Sequence, residues 1–255
     1  MTELWQILSE FIFRLTFGMA TAMAITSGQQ VSSGFFRVHL WVLMGLNTLA
    51  ALAVFSSGEH YAAPAWLLGC TIAAAVVSYL GAVIWLYEQN ALGKAAIILV
   101  AILGLACGGL SRTAAAGGFA LAMDGGDFLT SGLLLGGVLT AMLLGHWYLN
   151  VPGMKLAPLQ RLLLLLAVAV LLRAMFCLTG YCLIPTTQTT AWRLFLTLRW
   201  LSGLIGVGVM TAMTWQTLKI PNTQSATGIL YAGVILAFIG ELTSQLLTSE
   251  SAFPV

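Results

Sequence analysis

The chain has 255 residues, of which 60% are hydrophobic and 7% are charged, and its mean hydropathy is +0.97. Soluble domains carry about 25% charged residues, so this composition excludes an ordinary soluble domain and indicates an integral membrane protein. The net charge of +2 is small, and the basic residues are scattered, which argues against nucleic-acid binding.

Eight apolar runs of about twenty residues follow one another, and each is long enough to cross a ~30 Å hydrocarbon core. The runs are continuously apolar and do not alternate, which favours transmembrane helices over barrel strands. The opening MTELWQILSE lacks the basic segment of a cleaved signal, so we expect the first run to remain a membrane helix. The predicted spans cover residues 7–26, 37–56, 65–87, 94–111, 129–149, 159–180, 194–217 and 226–248.

The predicted fold is therefore an all-α integral membrane bundle that forms one transmembrane domain over residues 1–255. Its longest break, SRTAAAGGFALAMDGGDF, separates two candidate four-helix halves, residues 1–115 and 126–255. Spans 1 and 2 can be aligned with spans 5 and 6 when Arg37 is placed on Arg161, which suggests an internal duplication.

The distribution of basic residues predicts the orientation, because Lys and Arg near the ends of spans are retained on the cytoplasmic side. The connections after spans 2, 4 and 6 hold only Arg112 and Arg193, so this side is predicted to be extracytoplasmic, together with both termini. The connections after spans 1, 3, 5 and 7, which are predicted to be cytoplasmic, carry Arg37, Lys94, Lys155, Arg161 and Lys219. The predicted location is the cytoplasmic (inner) membrane.

Four charged residues fall inside the spans: Arg14, Arg173, Arg199 and Glu241. A charge at membrane depth costs at least ~2.5 kcal/mol on insertion scales, so each should face the bundle interior and find a partner. With the predicted orientation, all four lie in the outer leaflet, and we expect them to face a shared chamber. One acid cannot neutralise three arginines, so the surplus positive charge needs water, backbone carbonyls or a ligand.

Two interpretations of these charges remain open from the residues alone. In the first, Glu241 pairs with one arginine to fix helix packing while the other arginines extend toward the outer interface. In the second, the charges line a ligand site, where Glu241 accepts a proton from quinol and the arginines bind a quinone carbonyl. Glu59 and His60, in the outer connection SSGEHYAAP, would then carry protons to water.

The stretch from AWRLFLTLRWLSG through ILAFIGELTSQLL resembles the last two spans of the membrane anchors of dimethyl sulfoxide reductase type enzymes, the DmsC and NrfD-like family. In that family a Trp-Arg pair opens the penultimate helix and a Gly-Glu-Leu lies in the final one. LWVLMGLNTLAAL in span 2 and LTSGLLLGGVLTAMLLG in span 5 are also similar in character. The matching residues are Trp192, Arg193, Gly240, Glu241 and Leu242.

The resemblance implies a quinol-interacting membrane-anchor subunit that passes electrons to the iron–sulfur and catalytic subunits of an oxidoreductase complex. The substrate would be a quinone, either menaquinone or ubiquinone, and Glu241 with Arg193 would contribute to its site. The family's His-Leu-Gly-x-Pro-like stretch is replaced here by FSSGEHYAAPAW, which still supplies His60. The alternatives are a noncatalytic assembly or scaffold subunit and a transporter of a small anionic solute.

The remaining titratable residues indicate no resident cofactor. A haem between His39 and His146 is an alternative, but both histidines lie beside aromatic residues at predicted span ends, where they fit an interfacial belt. The four cysteines are dispersed in apolar helices and are expected to be buried thiols, although Cys177 and Cys182 could form a disulfide. No motif for a metal or a phosphate is present in the sequence.

Overall fold

The computed structural model describes residues 2–57, 61–112, 118–151, 153–183, 189–220 and 222–249. Across these residues every regular element is helical, as predicted, and eight helical stretches are long and apolar enough to cross a membrane. One stretch consists of two α-helices joined by a π-helical segment, Trp200–Gly206. The α-helices are α1 Thr2–Ile25, α2 Ser33–Ser56, α3 Pro64–Leu86, α4 Asn90–Leu110, α5 Gly118–Asn150, α6 Ala157–Leu183, α7 Thr190–Arg199, α8 Val207–Leu218 and α9 Thr223–Ser249.

The helices divide into two compact units, Met1–Thr113 and Ala114–Val255. In the first unit, α1 packs against α2 and α4, and α3 packs against the same two helices. In the second unit, α5 packs against α6 and α9, and the stretch from α7 to α8 packs between α6 and α9. Each unit is therefore a ring of four spans in chain order.

Small residues allow the helices of the first unit to approach closely. A Cβ at Gly104 on α4 would lie 2.9 Å from the backbone nitrogen of Phe17 on α1, so only glycine fits this contact. At the other end of α4, Gly93 makes room for the buried Trp85, whose ring stacks on Phe36 at 4.2 Å between centroids. Close approach at small residues is a usual source of helix association in lipid.

Helix α5 begins at Gly118, eleven residues before the predicted start of span 5. The sequence analysis placed Asp124 and Asp127 in the longest break between apolar runs, SRTAAAGGFALAMDGGDF, but the structure places both residues inside the helix, together with Gly125 and Gly126. At Gly126 a Cβ would lie 2.1 Å from the ring of Phe176 on α6. A side chain here would force the Phe176 ring to move, so glycine suits this close contact. The helix extends beyond the predicted membrane span 129–149 at its N-terminal end.

The seventh span contains an irregularity that the apolar pattern did not predict. Its first part, α7, is capped by Thr189, whose hydroxyl accepts a hydrogen bond from the Trp192 backbone N–H at 3.2 Å. The π-helical segment follows directly after Arg199. Within it, Gly203 lies against Gly240 of α9 so closely that a Cβ on Gly240 would be 2.2 Å from the Gly203 Cα.

Candidate functional site

Arg173 is the centre of a buried polar network inside the second unit. Its side chain is fully buried, and its guanidinium makes five hydrogen bonds, which equals its number of N–H donors. Nη1 donates to the carboxylate and the backbone carbonyl of Asp127 on α5. Nε and Nη2 donate to Glu241 on α9 at 3.1 and 3.0 Å, and Nη2 also donates to the Ser244 hydroxyl at 3.1 Å.

The Glu241 carboxylate accepts contacts from three different helices. Besides the two bonds from Arg173, its Oε1 lies 3.0 Å from Nη2 of Arg199, and its Oε2 accepts a hydrogen bond of 2.6 Å from the Ser131 hydroxyl on α5. Each oxygen thus has two polar partners, which matches the four acceptor positions of a carboxylate. Glu241 is fully buried, so these contacts replace water entirely.

Arg199 enters the network from the last residue of α7, immediately before the π-helical segment. Its Nη2 also lies 3.2 Å from the Cys177 sulfur on α6. A Cβ at Gly203 would approach Nη1 of Arg199 to 2.4 Å, so the glycine leaves space for the guanidinium. π-Helical turns often occur at functional positions, because one extra residue per turn changes which side chains point inward.

The network has no net formal charge, whereas the sequence analysis counted one acid against three arginines at membrane depth. Asp127 and Glu241 supply two negative charges, and Arg173 and Arg199 supply two positive charges. The sequence analysis counted Glu241 as the only acid at membrane depth because it placed Asp127 in a connection. Within this unit no surplus positive charge remains from these two arginines to require an anionic ligand.

The other predicted residues lie in different surroundings. Arg14 lies in the first unit, where its guanidinium is 3.9 Å from Glu10, one turn earlier on α1. Arg193 is exposed on α7. Glu59 and His60 fall outside the described residues, so their proposed role in proton transfer stays a prediction.

The two histidines of the haem alternative lie in different units. His39 is buried on α2, and its Nδ1 is 2.5 Å from the Phe35 carbonyl oxygen. His146, on α5, is exposed and lies 3.4 Å from the Tyr231 hydroxyl. Among the described residues, no group of three or more His, Cys, Asp or Glu side chains could hold a metal ion.

All four cysteines are free thiols in the structure. Cys177 is buried and contacts Arg199, whereas Cys182 is exposed near the end of α6. Cys107 is buried and lies 3.7 Å from the Thr71 hydroxyl, and Cys70 contacts the Leu103 carbonyl oxygen at 3.6 Å. The structure therefore does not contain the Cys177–Cys182 disulfide that the sequence left open.

Sequence reasoning missed three members of the network, Asp127, Ser131 and Ser244. A helical periodicity test could have found the first two, since residues 127 and 131 are four positions apart and share a helix face. Ser244 follows Glu241 by three positions, which again places the two side chains on neighbouring parts of one face. The apolar FALAM before Asp124 was the signal that α5 extends through the two glycines.

Comparison of the chain with protein-family models, with curated proteins and with solved structures found no match. The site is therefore interpreted from its geometry and its chemistry. That geometry is compatible with two roles. In a structural role, the ion pairs join α5, α6, α7 and α9. In a binding role, the carboxylate and guanidinium groups exchange partners with a ligand that carries both a hydrogen-bond donor and an acceptor.

Proposed function

We propose that the chain is the membrane-anchor subunit of a multisubunit oxidoreductase, which binds quinol near the outer face of the cytoplasmic membrane. Electrons from quinol pass to an iron–sulfur subunit, and both termini of the anchor are extracytoplasmic. The observation that carries this proposal is the buried contact between Glu241 and Arg199, because both residues lie in the two spans that resemble the quinol-interacting anchors. Arg173, on the preceding span, completes the network.

Oxidation of quinol to quinone releases two electrons and two protons, so the site needs an acceptor for a proton and donors for the ring oxygens. Glu241 is the proposed acceptor of each proton in turn and releases it to water at the outer face, while the two electrons pass to the iron–sulfur subunit. Arg199 is the proposed hydrogen-bond donor to a ring oxygen. Both oxygens of Glu241 already accept hydrogen bonds, so a proton reaches the carboxylate only when one donor turns away. Ser131 is suited to this movement, because its hydroxyl can rotate without separating two charges.

A noncatalytic scaffold subunit is the second candidate. It is favoured because both oxygens of Glu241 already have two polar partners within the protein. A carboxylate whose acceptor positions are all filled can act purely as a link between helices. The charge balance gives less support to a transporter of an anionic solute, since Arg173 and Arg199 already face two carboxylates.

The anchor proposal is tested by purifying the tagged chain with its bound partners from native membranes. We expect a partner with four-cysteine iron–sulfur motifs and quinol-dependent reduction of its clusters. Glu241→Gln should reduce quinol oxidation at least tenfold in complexes that still assemble, whereas Glu88→Gln, in an exposed turn, should leave the rate unchanged. If Glu241→Gln does not assemble, Glu241→Asp keeps the charge that the arginines need but withdraws the carboxylate by one methylene group. A lowered rate in that assembled complex then tests the position of the proton acceptor.

Two results would contradict the proposal in different ways. Parental rates for an assembled Glu241→Gln complex over the whole pH range would exclude Glu241 as the proton acceptor. A complex that oxidises quinol equally well without this chain would identify the chain as a scaffold.

A further inference from the structure

Two cysteines of the first unit face each other where α3 packs on α4. Cys70 lies in the second turn of α3, and Cys107 lies in the last turn of α4. The two helices follow each other in opposite directions, so these turns lie at the same end of the unit. At 1.5 Å of rise per residue, the cysteines are about 9 and 5 Å from the ends of their helices. Cys107 is buried, whereas Cys70 is partly exposed.

The sulfur atoms of both residues lie inside this interface. The Cys70 sulfur is 3.6 Å from the carbonyl oxygen of Leu103, which precedes Cys107 by one turn of α4. The Cys107 sulfur is 3.7 Å from the hydroxyl of Thr71, the residue after Cys70. The two thiols are also direct hydrogen-bond partners of each other. Each sulfur therefore approaches the helix that carries the other one.

The packing of α3 on α4 brings the two backbones close together. Toward the other end of the interface, a Cβ on Gly81 would lie 3.0 Å from the Cβ of Ala96. Cys70 precedes Gly81 by eleven residues. Cys107 follows Ala96 by the same number. Eleven residues are about three turns of an α-helix, so each cysteine lies on the face that makes this close contact. A disulfide needs Cβ atoms about 3.5–4.5 Å apart, which such a close approach of two helices allows.

We propose that Cys70 and Cys107 are joined by a disulfide bond in the mature protein, and that this bond locks α3 to α4. The inference goes beyond the proposed anchor function. It uses only the proposed orientation, in which this end of the unit faces the extracytoplasmic side. Disulfides form and persist on that side of a bacterial membrane, whereas the cytoplasm keeps thiols reduced. The oxidant is a disulfide-bearing oxidoreductase of the extracytoplasmic compartment.

The bond forms by two successive thiol–disulfide exchanges. Cys70, the more exposed thiol, loses its proton, and its thiolate attacks one sulfur of the oxidant's disulfide and releases the other as a thiolate. The Cys107 thiolate then attacks the Cys70 sulfur of this mixed disulfide and releases the second thiolate of the oxidant. The two cysteines are oxidised by two electrons, and the oxidant is reduced to a dithiol. The two protons that the cysteines lose equal the two that the oxidant's thiolates gain.

The direct test alkylates the chain from native membranes with N-ethylmaleimide under denaturing conditions, before any reduction, and searches for linked peptides by mass spectrometry. We expect most of the chain to contain the Cys70 peptide linked to the Cys107 peptide, with neither cysteine alkylated. Cys177 and Cys182 are the internal control, since both are free thiols on α6 and should be alkylated. Full alkylation of Cys70 and Cys107 would overturn the proposal.

A second measurement separates a disulfide from the packing of two thiols. Cys70→Ser should lower the melting temperature of the detergent-solubilised chain by about 5 °C, because it removes the crosslink that closes residues 70–107 into a loop. Reduction with dithiothreitol should lower the melting temperature of the parental chain to that of the variant. Cys182→Ser is the matched control, because Cys182 is exposed and its loss should have no effect in either condition. An equal difference between parent and Cys70→Ser before and after reduction would show packing alone and would overturn the proposal.

The position of the N-terminus, probed from outside intact cells with a tag, separates the pairing from the orientation. Free thiols in a chain with an externally accessible N-terminus would refute the disulfide and keep the orientation. Free thiols in a chain with a cytoplasmic N-terminus would refute both.

Discussion

The two four-span units handle their buried polar groups in different ways. In the first unit, buried polar side chains such as Asn47 and Thr71 donate to carbonyl oxygens one turn earlier on their own helix, at 2.8 and 2.7 Å. The contacts between its elements are made by neutral groups, such as the 2.7 Å bond between the Ser9 and Tyr61 hydroxyls. In the second unit, the guanidinium of Arg173 alone connects three helices. Bonds within one helix satisfy polar groups but do not hold helices together.

This difference predicts different sensitivities to mutation. The first unit should depend on close packing at glycines and aromatic rings, and it should tolerate the loss of single polar groups. The second unit should depend on its ion pairs, because removal of one partner leaves a charge without compensation in an apolar interior. The following variants test this contrast, from the largest expected effect to the smallest.

Arg173→Leu should have the largest effect, because it leaves Asp127 and Glu241 facing only one arginine. Breaking a buried ion pair by removing one partner costs about 3–5 kcal/mol. The free energy of unfolding of the detergent-solubilised protein, measured by chemical denaturation, would report this loss. Arg161→Gln is the matched control, since Arg161 is exposed on the same helix. Similar unfolding of the two variants would show that the network contributes little to stability.

Gly240→Ala should have the second-largest destabilising effect, since the added methyl group would lie 2.2 Å from the Gly203 Cα. Neither backbone can move without separating α9 from the π-helical segment. Overpacking costs about 1–3 kcal/mol, and a contact between two backbones belongs at the upper end. Gly228→Ala on α9 is the control, because no atom lies within 4 Å of its added Cβ. A shift in melting temperature that is equal for both variants would argue against this contact.

Gly104→Ala extends the same test to the first unit, where the added Cβ would lie 2.9 Å from the Phe17 backbone nitrogen. We expect a smaller loss than for Gly240→Ala, about 1–2 kcal/mol, because the approach is less severe. Gly109→Ala on the same helix has open space and should be neutral. If Gly104→Ala proved harmless, close packing of α1 on α4 could not be the main source of stability in this unit.

Asn47→Leu should have the smallest effect. Asn47 is fully buried, its amide nitrogen bonds within its own helix, and no partner for its Oδ1 is found among the described residues. Replacement of such a group by an apolar one of similar size is nearly neutral, within about 1 kcal/mol. A loss comparable to that of Arg173→Leu, in the same denaturation experiment, would remove the contrast between the two units.

The sequence predicted the helical class and the eight spans because apolar runs of membrane length are a strong signal. It also identified Glu241, Arg173 and Arg199 as buried charges, since a charge in an apolar run stands out by itself. Asp127 was missed because it lies in the break between two apolar runs, and only the facing ring of Phe176 shows how Gly126 is accommodated in a helix there. Neither the π-helical segment nor the partner of each charge could be predicted, because both depend on contacts between distant parts of the chain.

The length of α5 has a separate consequence. Its 33 residues form a rod of about 50 Å, whereas the hydrocarbon layer is only ~30 Å thick. Even with a considerable tilt, several turns must extend into the headgroup region or the surrounding water. Met123 and Phe128 remain covered by protein in the first part of this helix, so the second unit keeps an ordered core there. A rigid helix end of this kind would provide a binding surface for a partner protein at a fixed distance from the lipid.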